Sequence, residues 1–123
     1  MRIAITAQGE DLASAMDPRF GRCRNFVIVD SDSDKFEAFS NEGVMASGGA
    51  GTQSAQFLAN KGVGVAITGN VGPNAARALE AAGIKVYAAA SGTVRDALQA
   101  YRAGKLSAVS GATVDSHHGM GRR

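Results

Sequence analysis

Two consecutive segments of this chain, residues 63–83 and 84–104, have the same length and the same plan, a short apolar strand followed by a helix. The strands are predicted at residues 63–67 and 84–88. The helices are predicted from apolar residues at helical spacing: Ala75, Ala78, Leu79 and Ala82 in the first segment, and Val94, Ala97, Leu98 and Tyr101 in the second. Because a strand–helix–strand crossover within one sheet is right-handed, the two strands run parallel. This plan limits half of the chain to an α/β sheet.

The first half of the chain has a different pattern, which predicts a hairpin. Strands are predicted at residues 2–7, 25–30 and 35–40, and the polar turn at residues 31–34 joins the second strand to the third. A helix that begins at Thr52 follows them. The complete order is β-β-β-α-β-α-β-α, which is the ribonuclease H-like order. It predicts an α/β fold with a mixed five-stranded sheet of order 3-2-1-4-5, in which strand 2 is antiparallel, and three helices.

Length and composition set the domain organisation and the compartment. Residues 1–110 are predicted to form a single domain, and residues 111–123, which have no hydrophobic periodicity, a flexible C-terminal tail. No apolar run approaches the roughly 20 residues of a membrane span. A single cysteine excludes a disulfide framework within the chain. We therefore expect a cytoplasmic protein with no membrane partner, and a monomer or weak homo-oligomer. The net charge of only +2 argues against a nucleic-acid partner.

Glycines and arginines predict an anion site at one edge of the sheet. In the predicted topology every helix begins at the carboxyl edge of the parallel strands. Helix N-termini carry free N–H groups and positive dipole ends, and glycine lets a ligand approach the backbone closely. The glycines at these three entrances are Gly49, Gly51, Gly69, Gly72 and Gly92, and the adjacent loop carries Arg19, Arg22 and Arg24. The alternative is that the glycines only form turns and that the arginines pair with Glu10, Asp11 or Asp17.

Three groups of residues are candidate metal ligands. Cys23 lies between Arg22 and Arg24, and cationic neighbours would lower the pKa of its thiol and favour a thiolate, a soft ligand for copper, iron or molybdenum–sulfur species. The alternative is a small residue that leads into a strand. His117 and His118, near Met120, could bind a soft metal, although adjacent histidines also occur in plain tails.

Alternating acids at Asp30, Asp32 and Asp34 could meet a divalent metal, but they fall on the predicted hairpin turn, where Asp is expected for backbone reasons. Ribonuclease H-like nucleases hold two metal ions with carboxylates on the central sheet. Strands 1 and 4 of this chain carry no acid. The sequence therefore disfavours nuclease chemistry on this fold.

Four stretches together resemble the dinitrogenase iron–molybdenum cofactor-binding family, that of NifX and of the carboxy-terminal region of NifB. They are Met16-Asp17-Pro18-Arg19-Phe20-Gly21-Arg22, Phe26-Val27-Ile28-Val29-Asp30, Gly49-Ala50-Gly51-Thr52, and Thr68-Gly69-Asn70-Val71-Gly72-Pro73-Asn74-Ala75. The resemblance covers about residues 1–110 and extends to small standalone members of the family. It implies a ribonuclease H-like sheet, in agreement with the predicted topology.

The resemblance also implies a function. It points to a non-catalytic protein that holds or delivers an anionic molybdenum-containing metal–sulfur cluster, with a molybdenum–copper sulfide cluster as the expected form and with donor or recipient proteins as further partners. The residues expected to contact the cluster are Arg19, Phe20, Gly21, Arg22, Arg24, Gly49, Gly51, Thr52, Thr68, Gly69, Asn70, Gly72, Ser91 and Gly92. Two alternatives stay open: a phosphate- or nucleotide-binding regulatory module on the same helix N-termini, and a ribonuclease H-like nucleic-acid binder.

Overall fold

The computed structural model of the protein describes residues 1–41, 50–89 and 92–109. Within these ranges the elements in chain order are β1 (Arg2–Ala7), β2 (Asn25–Asp30), β3 (Phe36–Ser40), α1 (Ala50–Asn60), β4 (Val63–Thr68), α2 (Pro73–Ala81), β5 (Lys85–Ala88), α3 (Val94–Arg102) and β6 (Ser107–Val109). The strands form one sheet of order β3-β2-β1-β4-β5-β6. β2 is antiparallel to both of its neighbours, whereas β1, β4 and β5 are mutually parallel.

The predicted α/β fold is confirmed, with one strand more than the sequence predicts. The five predicted strands have the predicted order, and β6 adds to β5 in antiparallel orientation, pairing Val86 with Val109. This strand has three residues, of which Ser107 and Ala108 are exposed. So short an edge strand has almost no apolar alternation to detect. The predicted tail, residues 111–123, lies outside the described residues.

Helices cover both faces of the sheet. On one face α1 and α2 pack over Ala4, Phe26 and Ala66, and on the other α3 packs over Ile3 and Ile5. The alternation of β1 follows from the strand period, because successive side chains point to opposite faces. Two hydrophobic cores therefore lie on opposite faces of one sheet, and both extend to the carboxyl edge of β1 and β4.

The helix ends follow local rules. Thr93 and Asp96 form a capping box at the start of α3, in which each side chain accepts a hydrogen bond from the other residue's backbone. Each helix is followed by a glycine in the left-handed region, where other residues are strained: Gly62, Gly83 and Gly104. Within the described ranges, no helix is both long and apolar enough to cross a membrane.

Candidate functional site

The loop that follows β1 lies against the turn that follows β4. The Asn70 N–H donates to the Pro18 carbonyl (2.6 Å), and the Phe20 N–H donates to the Asn70 carbonyl (3.1 Å). A Cβ on Gly69 would stand 2.8 Å from both Cβ and O of Pro18, so the close approach of the two backbones requires glycine at position 69. This contact brings Arg19, Phe20, Gly69 and Asn70 together at the carboxyl edge of the sheet.

Thr68 holds this edge together from inside. Its hydroxyl is 2.9 Å from that of Thr6, which in turn donates to the backbone carbonyl of Asp17. Both threonines are buried. Thr68 is among the residues predicted to contact a ligand, and in the structure its side chain instead joins β4 to β1 and to the loop.

The N-terminus of α2 is open. Gly72 is the N-cap residue, and no side chain caps the helix. Pro73 at the first helical position has no N–H, and among the described residues no acceptor meets the N–H groups of Asn74 and Ala75. Gly72 has an extended backbone (φ −76°, ψ 170°) that any residue can adopt, and a Cβ there would meet no atom of residues 1–41, 50–89 or 92–109 within 4 Å. Neither backbone strain nor packing within the described residues requires glycine at position 72.

The N-terminus of α1 stands beside that of α2. A Cβ on Gly51 would stand 2.8 Å from the Cβ of Ala75, in the first turn of α2. Neither helix has an acidic residue in its first turn. Two positive dipole ends are thus brought together without a carboxylate from either helix to neutralise them. Gly51 and Thr52 of the predicted set are half-buried here, and Gly49 lies outside the described residues.

The N-terminus of α3 is closed, and the prediction of three open helix N-termini is wrong for this helix. The N–H groups of Val94 and Arg95 donate to the carbonyls of Ser14 and Leu12, both at 2.9 Å, and Thr93 caps the Asp96 N–H. The Gly92 carbonyl accepts from the Met16 N–H at 2.9 Å. The loop after β1 therefore supplies the acceptors that an anion would supply. Gly92 serves this closed end through its positive φ of 103°, and Ser91 lies outside the described residues.

The three arginines of the loop differ in their partners. Arg19 pairs with Asp17 through its Nε (3.4 Å) and is 62% exposed in its side chain. Arg22 and Arg24 are exposed, and their side chains form no ion pair or hydrogen bond in the part of the chain that the structure describes. Pairing with a neighbouring acid therefore accounts for one arginine, and two cationic side chains remain available at this edge.

Cys23 is a buried neutral thiol, and the prediction that its neighbours favour a thiolate is wrong. Its side chain points into the core that α1 and α2 cover, while Arg22 and Arg24 point outward on either side of it. Burial, with the nearby negative charge of Asp17, raises the pKa of the Cys23 thiol to about 12. A neutral thiol without access to solvent is a poor metal ligand.

Asn41 is a buried residue of this edge that the sequence reasoning missed. Its side-chain amide donates to the carbonyls of Gly21 (3.0 Å) and Cys23 (3.1 Å), and its Oδ1 accepts from the hydroxyl of Ser54 (2.8 Å). It thereby fixes the loop against α1 at Ser54. Gly21 itself lies at a positive φ of 89°. The available signal was one polar residue directly after β3, which says nothing about its partners.

The remaining candidate metal ligands lie elsewhere. Asp30 accepts a hydrogen bond from the Asp32 N–H, as expected of a turn, and this hairpin is at the opposite edge, because β2 is antiparallel to β1. No group of three or more potential ligands occurs among the described residues. His117 and His118 lie outside them. Two cavities of about 430 and 360 Å³, between α2 and β5–β6 and along β2–β3, contain no residue of the predicted site.

Comparison with known families gives one match over most of the chain. The family described as "dinitrogenase iron-molybdenum cofactor" matches residues 1–104. An uncharacterised protein of Methanocaldococcus jannaschii is 33% identical over 109 residues, which are 86% of this chain and 89% of that protein.

Two solved structures are similar in both sequence and fold. The apo form of the orange protein from Desulfovibrio gigas is 44% identical with a TM-score of 0.89, over 92% of this chain and 96% of that one. A Thermotoga protein described as NifB and as a member of the DUF35 family is 39% identical with a TM-score of 0.79, over 96% of this chain and 98% of that one.

Proposed function

The chain belongs to the dinitrogenase iron–molybdenum cofactor family, and from that membership we propose that it is a non-catalytic carrier of an anionic, molybdenum-containing metal–sulfur cluster. The family description supports a cofactor of the iron–molybdenum type as the cargo. The likeness to the orange protein, whose structure is of an apo form, supports a protein that takes up a separate group. We further propose a molybdenum–copper sulfide cluster as the specific cargo and other proteins as its donor or recipient.

One observation carries the proposal: the open N-terminus of α2 stands beside that of α1. Among the described residues, the N–H groups of Asn74 and Ala75 have no acceptor and no atom fills the space beside Gly72. Each helix end carries roughly half a positive charge. Two such ends, with Arg22 and Arg24 on the adjacent loop, favour an anion that approaches the backbone closely.

The chemistry of the chain also fits a cluster that brings its own sulfides. The single cysteine is buried and neutral at physiological pH, so a thiolate cage is not the means of attachment. N–H groups, guanidinium groups and packing can hold an anionic sulfide cluster, because sulfide accepts hydrogen bonds and attracts cations without a protein–metal bond. The residues that fit this task are Arg22, Arg24, Gly51, Gly72 and the first turn of α2.

Reconstitution tests the proposal. The full chain is incubated without oxygen with tetrathiomolybdate, with and without a copper salt, and is then passed through a desalting column. We expect molybdenum to elute with the protein and a visible absorption band that differs from that of free tetrathiomolybdate. We expect copper to increase the retained molybdenum. Protein that elutes free of molybdenum under both conditions contradicts the carrier function.

The same N–H groups also fit a phosphate group, which keeps the phosphate- or nucleotide-binding module as a second candidate. A thermal-shift series with phosphate, a nucleoside triphosphate, molybdate and tetrathiomolybdate separates the two. The carrier function predicts the largest rise in melting temperature with tetrathiomolybdate, since a ligand that binds the folded state stabilises it more, at equal concentration, the lower its dissociation constant. A larger rise with the nucleotide favours the regulatory module.

A further inference from the structure

We propose that Asp17 determines specificity at this edge of the sheet, by making the site discriminate against compact oxyanions such as phosphate, sulfate and molybdate. The inference rests on the proposed function, because it concerns the same site. It gives a role to the buried carboxylate of Asp17, which the binding of a cluster does not by itself require.

Asp17 is fixed in place beneath the loop and is only 1% exposed. Its N–H donates to the Thr6 carbonyl (2.9 Å), and its own carbonyl accepts from the Thr6 hydroxyl. Its Oδ1 accepts from the backbone N–H of Arg19 (3.1 Å) and from the Arg19 Nε (3.4 Å). No other hydrogen bond reaches this carboxylate from residues 1–41, 50–89 or 92–109. A buried charge with one cationic partner is costly to a fold, so its presence calls for a reason.

Asp17 acts on the site through Arg19. The segment Pro18–Phe20 is bonded to Asn70, two residues before Gly72, so Arg19 stands beside the open N-terminus of α2. Arg19 is thus well placed to donate to an anion, but its backbone N–H and its Nε–H are already taken by Asp17, which leaves only its terminal N–H groups for a ligand. The carboxylate also offsets the charge of that guanidinium. The charge that remains for a ligand is that of Arg22 and Arg24.

This arrangement affects two classes of anion differently. A compact oxyanion concentrates its charge on a few strong acceptors and needs several directed N–H donors. A sulfide-rich cluster spreads its charge over larger and weaker acceptors, and depends less on each donor. Withholding two donors and adding a fixed negative charge therefore weakens oxyanion binding more than cluster binding. A carrier exposed to an excess of phosphate gains selectivity in this way.

The test is Asp17→Asn in the full chain. Asparagine keeps an oxygen for the Arg19 N–H in the turn and removes the charge. Affinities for phosphate, molybdate and tetrathiomolybdate are measured by calorimetry at one ionic strength. We expect the affinity for the two oxyanions to rise about tenfold and that for tetrathiomolybdate to change by less than about threefold. The matched control is Asp32→Asn, which removes the same charge from a side chain that is 88% exposed at the opposite edge. It should change none of the three affinities.

A double variant tests the route through Arg19. If the freed arginine captures the oxyanion, the gain in Asp17→Asn disappears in Asp17→Asn/Arg19→Ala, and a gain that persists overturns the inference. An equal rise for oxyanions and tetrathiomolybdate, or no rise, also overturns it. If Asp17→Asn does not fold by circular dichroism, Asp17→Ser, which also accepts in turns, takes its place. Failure of wild-type protein to bind tetrathiomolybdate counts against the carrier function instead, so the two failures are distinguishable.

Discussion

Gly51 of α1 lies so close to Ala75 of α2 that a Cβ on Gly51 would stand 2.8 Å from the Ala75 Cβ. This contact sets how near the first turns of the two helices come. Because real Cβ atoms do not approach to that distance, any side chain at position 51 must push the helices apart. The two positive helix ends can therefore lie this close only because Gly51 has no Cβ.

Gly51→Ala should destabilise the fold. Overpacking of a tight contact costs about 1–3 kcal/mol, and we expect a loss of unfolding free energy in that range. Urea denaturation followed by circular dichroism measures it. Gly64→Ala is the matched control, because its Cβ would meet only the Met1 side chain at an ordinary 3.7 Å. Equal stability of the two variants would show that α1 and α2 adjust freely.

Gly72→Ala should leave the fold intact and impair the site. Its backbone is in a region open to alanine and the new methyl group meets no atom of the described residues. The entropic gain of alanine over glycine and its poorer quality as an N-cap oppose each other, so stability should change by less than about 1 kcal/mol. The methyl group occupies the space in which a ligand approaches the first turn of α2. We expect less molybdenum per protein after reconstitution and desalting. Retention equal to that of wild type would place the cargo away from this helix end.

Arg22→Gln and Arg24→Gln should each weaken tetrathiomolybdate binding in a salt-dependent manner. Loss of one cation near a multivalent anion should lower affinity about threefold to tenfold at low salt, with a smaller loss at high salt because screening increases. Titration at two ionic strengths measures this. Arg95→Gln is the control, since Arg95 is an exposed arginine of α3 on the other face of the sheet. A loss of the same size in that variant would indicate a general effect of net charge.

Cys23 should make stability fall at alkaline pH. The pKa of its thiol is raised in the folded state to about 12 from 9.0, so its contribution is complete below pH 9.0 and is lost as the pH rises towards 12. At pH 10 the loss should be about 1.4 kcal/mol. The measurement is the difference in unfolding free energy between pH 8 and pH 10 for wild type and for Cys23→Ala, which lacks the group but shares all other titrations. Identical differences in the two proteins would contradict a buried thiol.

The fold was accessible from sequence because its strongest signals are local. The two strand–helix units and the hairpin each carry their own period, and the right-handed crossover rule orders the strands. The capping pair Thr93 and Asp96 is three residues apart, so this helix start is also a local signal. β6 was not predicted, because an edge strand of three residues that pairs with β5 is too short to show a hydrophobic period.

The site was less accessible because its details depend on contacts between distant residues. Glycine precedes both α2 and α3, at positions 72 and 92. The N-terminus of α2 is open, whereas the carbonyls of Leu12 and Ser14 close that of α3, and the sequence does not distinguish the two cases. An arginine on each side of Cys23 suggested a thiolate, but alternation in the loop turns the thiol inward and both cations outward. The direction of a side chain in an irregular loop is set by tertiary packing, which neither composition nor spacing encodes.

The closure of α3 by the loop has a consequence for protein engineering. The carbonyls of Leu12 and Ser14 occupy donors that are chemically equivalent to the open ones of α2, on the other side of the same sheet. The loop thus takes the place that a ligand would have at the N-terminus of α3. A second helix N-terminus, now blocked by the loop, lies on the other face of the sheet. Rebuilding residues 8–16 while keeping Thr6 and Asp17 would uncover that N-terminus and offer a scaffold with two independently adjustable receptor faces.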